Sequence, residues 1–520
     1  MGLYDWLSTS DHKRIGRTWI RSSLLMLLGT AIVGVLVSFE QIDASSVDLF
    51  GGDNGYFQLW GLYRFAPVLM VAAPLLLGLA IVVVPMQVGA TNIAFPRAAL
   101  SAAWGYVLGA GITVVSVLAG GGWGALDGVT QDEADAIALT LLGTGMVIVS
   151  LLLGAICVAT TVISLRTAGM NLLRVPLFAW SMLVACAVWL LSLPIAIANL
   201  GIMYVDLRGG PLTFGNPEGT DAMYAQLAWV LDQPQIYAIA IPALGIIGSI
   251  VPVAAGTRQI AHWIMVTAIG LFGLLSIGGW SQPYFANTTD EFLYIAFGLA
   301  IVLPVFAVVG GAAATLAAGD APVGLPATHL LGALGAGLLL LAAVVSGALK
   351  AIEPFDLAGT SAHGGLMNLV ALAAITAALA GLWFWAPKIG GGFMPSGLGR
   401  LLILDLVAGA LLLGIPQVVA GFFDAPDLML TDTGDSAVDA MSSVSMVGAG
   451  LVALGALGVI IALGSSLRGS GEAPGDNPWN GHTLEWATTS PPPVGNFAEP
   501  PAKVVSEAPL LDLADEEVES

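Results

Sequence analysis

The sequence predicts an all-α, polytopic membrane protein with twelve transmembrane helices, and three observations carry that reading. Of 520 residues, 57% are hydrophobic and 10% are charged, with a mean hydropathy of +0.89; a soluble globular chain carries about a quarter charged residues. The apolar residues gather into runs of about 20, the length at which a helix crosses hydrocarbon with every backbone hydrogen bond satisfied internally. The basic residues fall in alternate connections between those runs, the pattern that fixes orientation in a bilayer. Short alternating segments of the kind that build a transmembrane β-barrel are missing.

Taken in order, residues 1–18 are polar, carry His12, Lys13, Arg14 and Arg17, and read as a cytoplasmic lead-in to a retained helix rather than a signal peptide. The transmembrane domain covers 19–464, with spans near 19–38, 62–86, 100–119, 143–163, 175–203, 235–254, 260–280, 293–317, 328–348, 366–386, 401–422 and 444–464. Arg97 follows the second span, Arg166 and Arg174 the fourth, Arg258 the sixth, Lys388 and Arg400 the tenth, and Arg468 the twelfth. These, with Lys13, Arg14, Arg17, Arg21 and Lys503, lie inside when the N-terminus is cytoplasmic; Arg64, Arg208 and Lys350 fall outside or at the outer edge. The connections assigned outside are acidic, as in Asp127 to Asp135 and Asp424 to Asp439. Both termini are then cytoplasmic. Residues 465–520 form a cytoplasmic tail with a proline run at 491–493 and an acidic end, expected to be partly ordered. The 66 glycines and 28 prolines suit close helix packing in a membrane.

The 15 basic residues against 35 acidic ones give a net charge of −20. Nucleic acid is excluded as a partner, since it requires basic stripes. The acids sit in loops and tail, where they read as solvated surface, and the Lys-poor, acidic balance fits a high-salt, halophile-like cytoplasm. Cys157 and Cys186 both fall inside apolar runs, so neither a disulfide framework nor a zinc motif is available.

Ionisable groups within a membrane are costly and therefore candidates for function. His363 stands at the outer mouth of the tenth span, His262 and His329 open the seventh and ninth, Asp405 lies near the inner end of the eleventh, and Arg64 near the outer end of the second. No two histidines are spaced to form a helical metal site. A lone histidine at a helix end ordinarily serves an interfacial or hydrogen-bonding role, and Asp405 is close enough to the interface to snorkel.

Four segments bring in a resemblance. They are Ser10-Asp11-His12-Lys13-Arg14-Ile15-Gly16, VPMQVGATNIAFPR at 84–97, QPQIYAIAIPALGII at 233–247 and NPWNGHTLEWATTSPPPVGNF at 477–497. Each resembles a stretch of subunit I of the haem–copper terminal oxidases, the cytochrome c oxidase family. The resemblance implies the twelve-helix subunit-I arrangement, a respiratory membrane and other oxidase-type subunits as partners. Members hold two haems and a copper with six histidines. Here the low-spin haem ligand on helix two falls on Tyr63, the copper ligands on Gln233, Gln282 and Pro283, and the second low-spin ligand on Gly365. His363 alone matches, at the high-spin haem position. Tyr237 matches the family's active-site tyrosine. The carboxylate at the entrance of the main proton channel falls on Asn92, a channel asparagine on Ala99, the channel's end on Gln235, and the lysine of the second channel on Val308. The propionate-holding arginines fall on Gln417 and Val418.

Amides and proline do not replace imidazoles around copper, so copper is not expected. Haem is conceivable only on His363, with Tyr63 a weaker candidate ligand; the expectation is no cofactor and a partly collapsed pocket. Three functions follow as alternatives. The chain is a non-catalytic paralogue acting as a membrane subunit, an active or haem-only terminal oxidase, or a small-solute transporter using the vacated pockets. Whether it is an enzyme stays open on these residues.

Overall fold

The computed structural model describes residues 8–42, 49–124, 130–209, 220–280, 291–320, 325–429, 433–466, 474–501 and 503–519. Among them, twelve helices are long and apolar enough to cross a membrane. They are α1 (His12–Glu40), α2 (Asp53–Gln87), α3 (Pro96–Leu118), α4 (Gln131–Ser164), α5 (Leu177–Gly209), α6 (Thr220–Ala254), α7 (His262–Gly279), α8 (Ile295–Ala318), α9 (Thr328–Lys350), α10 (Ser361–Gly390), α11 (Ser396–Gly421) and α12 (Ser436–Ser466). A short helix, α13 (Pro509–Glu519), closes the tail.

Local chemistry explains why several helices outrun the apolar spans. The helix of the first span starts at His12, inside the expected lead-in, because the Asp11 side chain accepts the Lys13 amide at 3.1 Å and caps the first turn. α4 starts at Gln131 rather than near 143, because Thr130 and Glu133 form a reciprocal capping box. Within α2, Pro67 opens a π-helical turn over Pro67–Ala72 and Pro74 follows in the next turn. Proline removes a backbone donor, and the widened turn absorbs the mismatch.

The helices form two layers. α1, α3, α4, α5, α7, α8, α9, α11 and α12 make a closed ring, each against the next and α12 back against α1. α2, α6 and α10 stand inside it, touching one another. The most apolar stretch of α10 is 100% buried, that of α2 94% and that of α6 83%, whereas for lipid-facing α8 the figure is 28%. Helices apolar all round belong in the interior, and these three hold the candidate site.

Both described termini lie at one end of the bundle, called here the terminal end. The tail crosses it and is tied down by buried polar groups. Asn496 Oδ1 lies 2.9 Å from His12 Nε2 and accepts from Lys13 Nζ at 3.2 Å, while its Nδ2 donates to the Ala90 carbonyl at 2.8 Å. Lys388 Nζ, at the end of α10, donates to the carbonyls of Asp476 (2.8 Å) and Thr488 (2.5 Å). Glu485 Oε1 accepts from Gln87 Nε2 at 2.9 Å and Trp385 Nε1 at 3.2 Å. Burial pushes the Glu485 carboxyl above its ordinary range, against the opposing pull of those donors.

Candidate cofactor site

The polar residues of the bundle interior gather at the far end, opposite the termini. Arg64 on α2 and Asp427, just past α11, form an ion pair, and the Arg64 guanidinium lies 5.4 Å over the Trp60 ring. The pair rests against the start of α10, where a Cβ on Gly364 would come within 2.8 Å of both Arg64 Nη1 and Asp427 Oδ1. One residue earlier, His363 is held from two sides. Lys350 Nζ, at the last residue of α9, donates to His363 Nδ1 at 2.8 Å. His363 Nε2 donates to Asp232 Oδ2 on α6 at 3.2 Å. A cation on one nitrogen and a carboxylate on the other fix the neutral tautomer with its proton on Nε2.

Tyr63 points inward from α2 and is buried. Its hydroxyl accepts from Asn368 Nδ2 at 2.7 Å, and the same amide donates to Gln417 Oε1 at 2.8 Å. Tyr63 and Asn368 border a cavity of about 420 Å³ between α1, α2, α10, α11 and α12. A larger cavity, about 670 Å³, lies among α6, α7, α8, α9 and α10; Gln233, Tyr237 and Lys350 border it among apolar side chains. Gln235 turns elsewhere, donating to Ser192 Oγ on α5 at 3.0 Å. Gln282 and Pro283 lie outside the described residues.

A family profile described as "Cytochrome C and Quinol oxidase polypeptide I" matches residues 14–451. The chain belongs to that family. Among similar proteins, the putative cytochrome c oxidase subunit 1-beta of Streptomyces avermitilis is 27% identical over 98% of this chain and 92% of its own length. The probable cytochrome c oxidase subunit 1 of Bradyrhizobium diazoefficiens is 28% identical, covering 96% and 77%. The cytochrome c oxidase subunit 1 of Bacillus subtilis is 26% identical, covering 96% and 81%. Among the described residues, twelve long apolar helices and no strand agree with membership of this oxidase family.

The family ordinarily binds haem and copper, so the positions that resemble its ligands were tested against the space around them. At Gly365 a Cβ would stand 2.5 Å from the Gly414 carbonyl oxygen and 2.7 Å from Val418 Cγ2. α11 therefore occupies the room a ligating side chain at 365 needs. Tyr63 packs its ring on Gly34, where a Cβ would meet Tyr63 Cε2 at 3.1 Å, and its hydroxyl is turned to Asn368. Both His363 nitrogens are engaged, so an iron ligand there requires Lys350 or Asp232 to leave. No group of three His, Cys, Asp or Glu side chains able to hold a metal occurs among the described residues. Among the described residues, those at the matching positions do not supply the ligands of a two-haem, one-copper set.

Four residues of this site were not singled out from the sequence: Asp232, Lys350, Asn368 and Asp427. Lys350 was placed at the outer edge on charge alone, and Arg64 without its partner. Of the four, only Asp232 stands directly beside a position that resembles a ligand, Gln233. His329, at the start of α9, packs at 4.7 Å on the Trp479 ring.

Proposed function

We propose that this chain is a non-catalytic, ligand-depleted member of the oxidase subunit I family, serving as a membrane subunit beside other respiratory subunits. The observation that carries the reading is the state of His363. The one side chain that matches a family ligand spends both ring nitrogens on protein partners, Lys350 and Asp232. Gly365, closed off by Gly414 and Val418, supports it from the other haem position. Oxygen reduction needs titratable proton carriers as well, and the positions that resemble the main channel carry Asn92, Ala99 and Gln235. The partners are inferred from relatives named as oxidase subunits, including a haem–copper oxidase subunit I+III of Aeropyrum pernix. The location inferred is the plasma membrane with both termini cytoplasmic, on the strength of the basic inner loops. Residues 465–520 then act as a cytoplasmic cap on the bundle.

The test is the haem and copper content of the purified chain, by pyridine haemochromogen spectrum and elemental analysis. The expected result is colourless protein with both far below one per chain. One stoichiometric haem overturns the reading in favour of a haem-bearing oxidase.

A further inference from the structure

We propose that the larger cavity is a binding site for a neutral single-chain lipid: an acyl chain with an uncharged ester or alcohol head, seated chain-inward beside Gln233 and Lys350. The site rests on the ligand-depleted reading above, since a haem there would compete for the same space. The cavity comprises about 670 Å³ not filled by protein atoms, part of it open to the outside. Its lining changes character along the bundle axis. Gln233 and Lys350 stand at the far end, and the walls deeper in are apolar, with Ala240, Val305 and Leu340. That gradient matches the polarity profile of one lipid lying along the bilayer normal.

Gln233 supplies the independent sign of a ligand. It is only 5% exposed and borders the cavity, and among the described residues its side-chain amide has no hydrogen-bond partner. A buried amide left unpaired is costly, and this one offers both a donor and an acceptor to whatever enters. Lys350 has three ammonium donors, of which His363 takes one.

Charge decides the head group. Lys350 is the one charged residue among the described ones lining the cavity; behind it, among the described residues, His363 links Lys350 to Asp232 and Arg64 pairs with Asp427, so two cations face two carboxylates with His363 neutral between them. A carboxylate or phosphate would add an uncompensated charge to a buried, balanced cluster. An ester carbonyl or hydroxyl would not, and it pairs with both Gln233 and the spare Lys350 donors. The supply is the bilayer itself: α8, one wall of the cavity, turns Leu299, Leu303 and Phe306 outward to lipid.

The experiment uses the full chain in nanodiscs and a monoacylglycerol probe with a photoreactive diazirine in its acyl chain. Expected are labelling on α8 or α9, competition by unlabelled monopalmitoylglycerol, and at least tenfold weaker competition by palmitate. Ala343→Phe, which fills the apolar part of the cavity without touching the polar cluster, should lower labelling at least tenfold. Gln233→Leu should lower it severalfold while the purified protein keeps its helix content. Undiminished labelling in Ala343→Phe overturns the site, and equal competition by palmitate overturns the neutral head group. A Soret band in the purified protein would instead overturn the reading beneath the proposal, and is read separately from the lipid.

Discussion

Replacing Gly365 by alanine tests whether the second low-spin position has room for any side chain. The added Cβ would lie 2.5 Å from the Gly414 oxygen, 2.7 Å from Val418 Cγ2 and 2.8 Å from the Val418 nitrogen. A carbon normally stands about 3.3 Å or more from a carbonyl oxygen, so the overlap is about 0.8 Å. Two of the three opposing atoms are backbone of α11, which moves only with its helix. Overpacking of this kind costs about 1–3 kcal/mol. Against it stands the intrinsic preference of a helix for Ala over Gly, about 1 kcal/mol. Gly111→Ala on α3 isolates the two, because nothing lies within 4 Å of a Cβ there. Unfolding by increasing mole fraction of SDS in mixed micelles should place Gly365→Ala about 1–3 kcal/mol below Gly111→Ala. Equal stability of the two variants would show that α11 yields freely at 365, and the steric argument against a ligand there would fail.

Three further outcomes are expected. Asp427→Ala should destabilise more than Arg64→Met, because it removes the carboxylate facing a guanidinium with 4% exposure whereas the reverse removes the cation facing a carboxylate with 19%; the same SDS titration should show up to about 3–5 kcal/mol for the first, and equal losses would contradict the burial argument. Glu485 has its carboxyl raised by burial above the ordinary 4.5. The folded state therefore holds that proton more tightly than the unfolded one, and the contribution to tail docking is complete below 4.5 and lost as pH rises through the raised value. Hydrogen exchange over 474–501, corrected for its intrinsic pH dependence, should show protection falling across that window in the parent and flat in Glu485→Gln; matching profiles would refute the assignment. Lys388→Met removes the donor to the Asp476 and Thr488 carbonyls, each such bond contributing about 1.5–3 kcal/mol, so limited proteolysis should cut the tail faster while the helices stay intact.

The architecture was legible because a bilayer leaves a chain few choices. Runs of about 20 apolar residues determine the number of helices, and among the described residues several helices reach beyond the apolar spans, at Asp11 and at Thr130–Glu133 because polar side chains cap the added turns. The two-layer order was less accessible. α2 and α10 read as ordinary apolar spans, and what places them inside is that no face of either is given to lipid. Tyr63, Gln233, Tyr237 and His363 turn toward interior polar clusters or cavities, while Gln282 and Pro283 lie outside the described residues.

The partners of those residues were illegible for a physical reason. Lys350 and Asp232 lie 118 positions apart, and 13 and 131 positions respectively from His363, on different spans, and a charge at a helix end has the same sequence signature whether it snorkels to water or folds inward. Only tertiary packing decides. The outcome at His363 follows from electrostatics once the helices are in place. An imidazole facing a buried carboxylate on Nε2 keeps its proton there, leaving a lone pair on Nδ1 that must be met by a cation or a donor. A metal is one solution, and Lys350 is another that the chain supplies itself, with no demand for a porphyrin. The same ammonium balances Asp232, while Arg64 balances Asp427, so the cluster is neutral without any cofactor. Replacing Lys350 alone would leave Asp232 and the imidazole uncompensated together, and that coupling explains why a single reversion toward the family pattern does not rebuild its centre: restoring the ligand at 365 needs α11 displaced, and freeing His363 needs two buried charges rearranged.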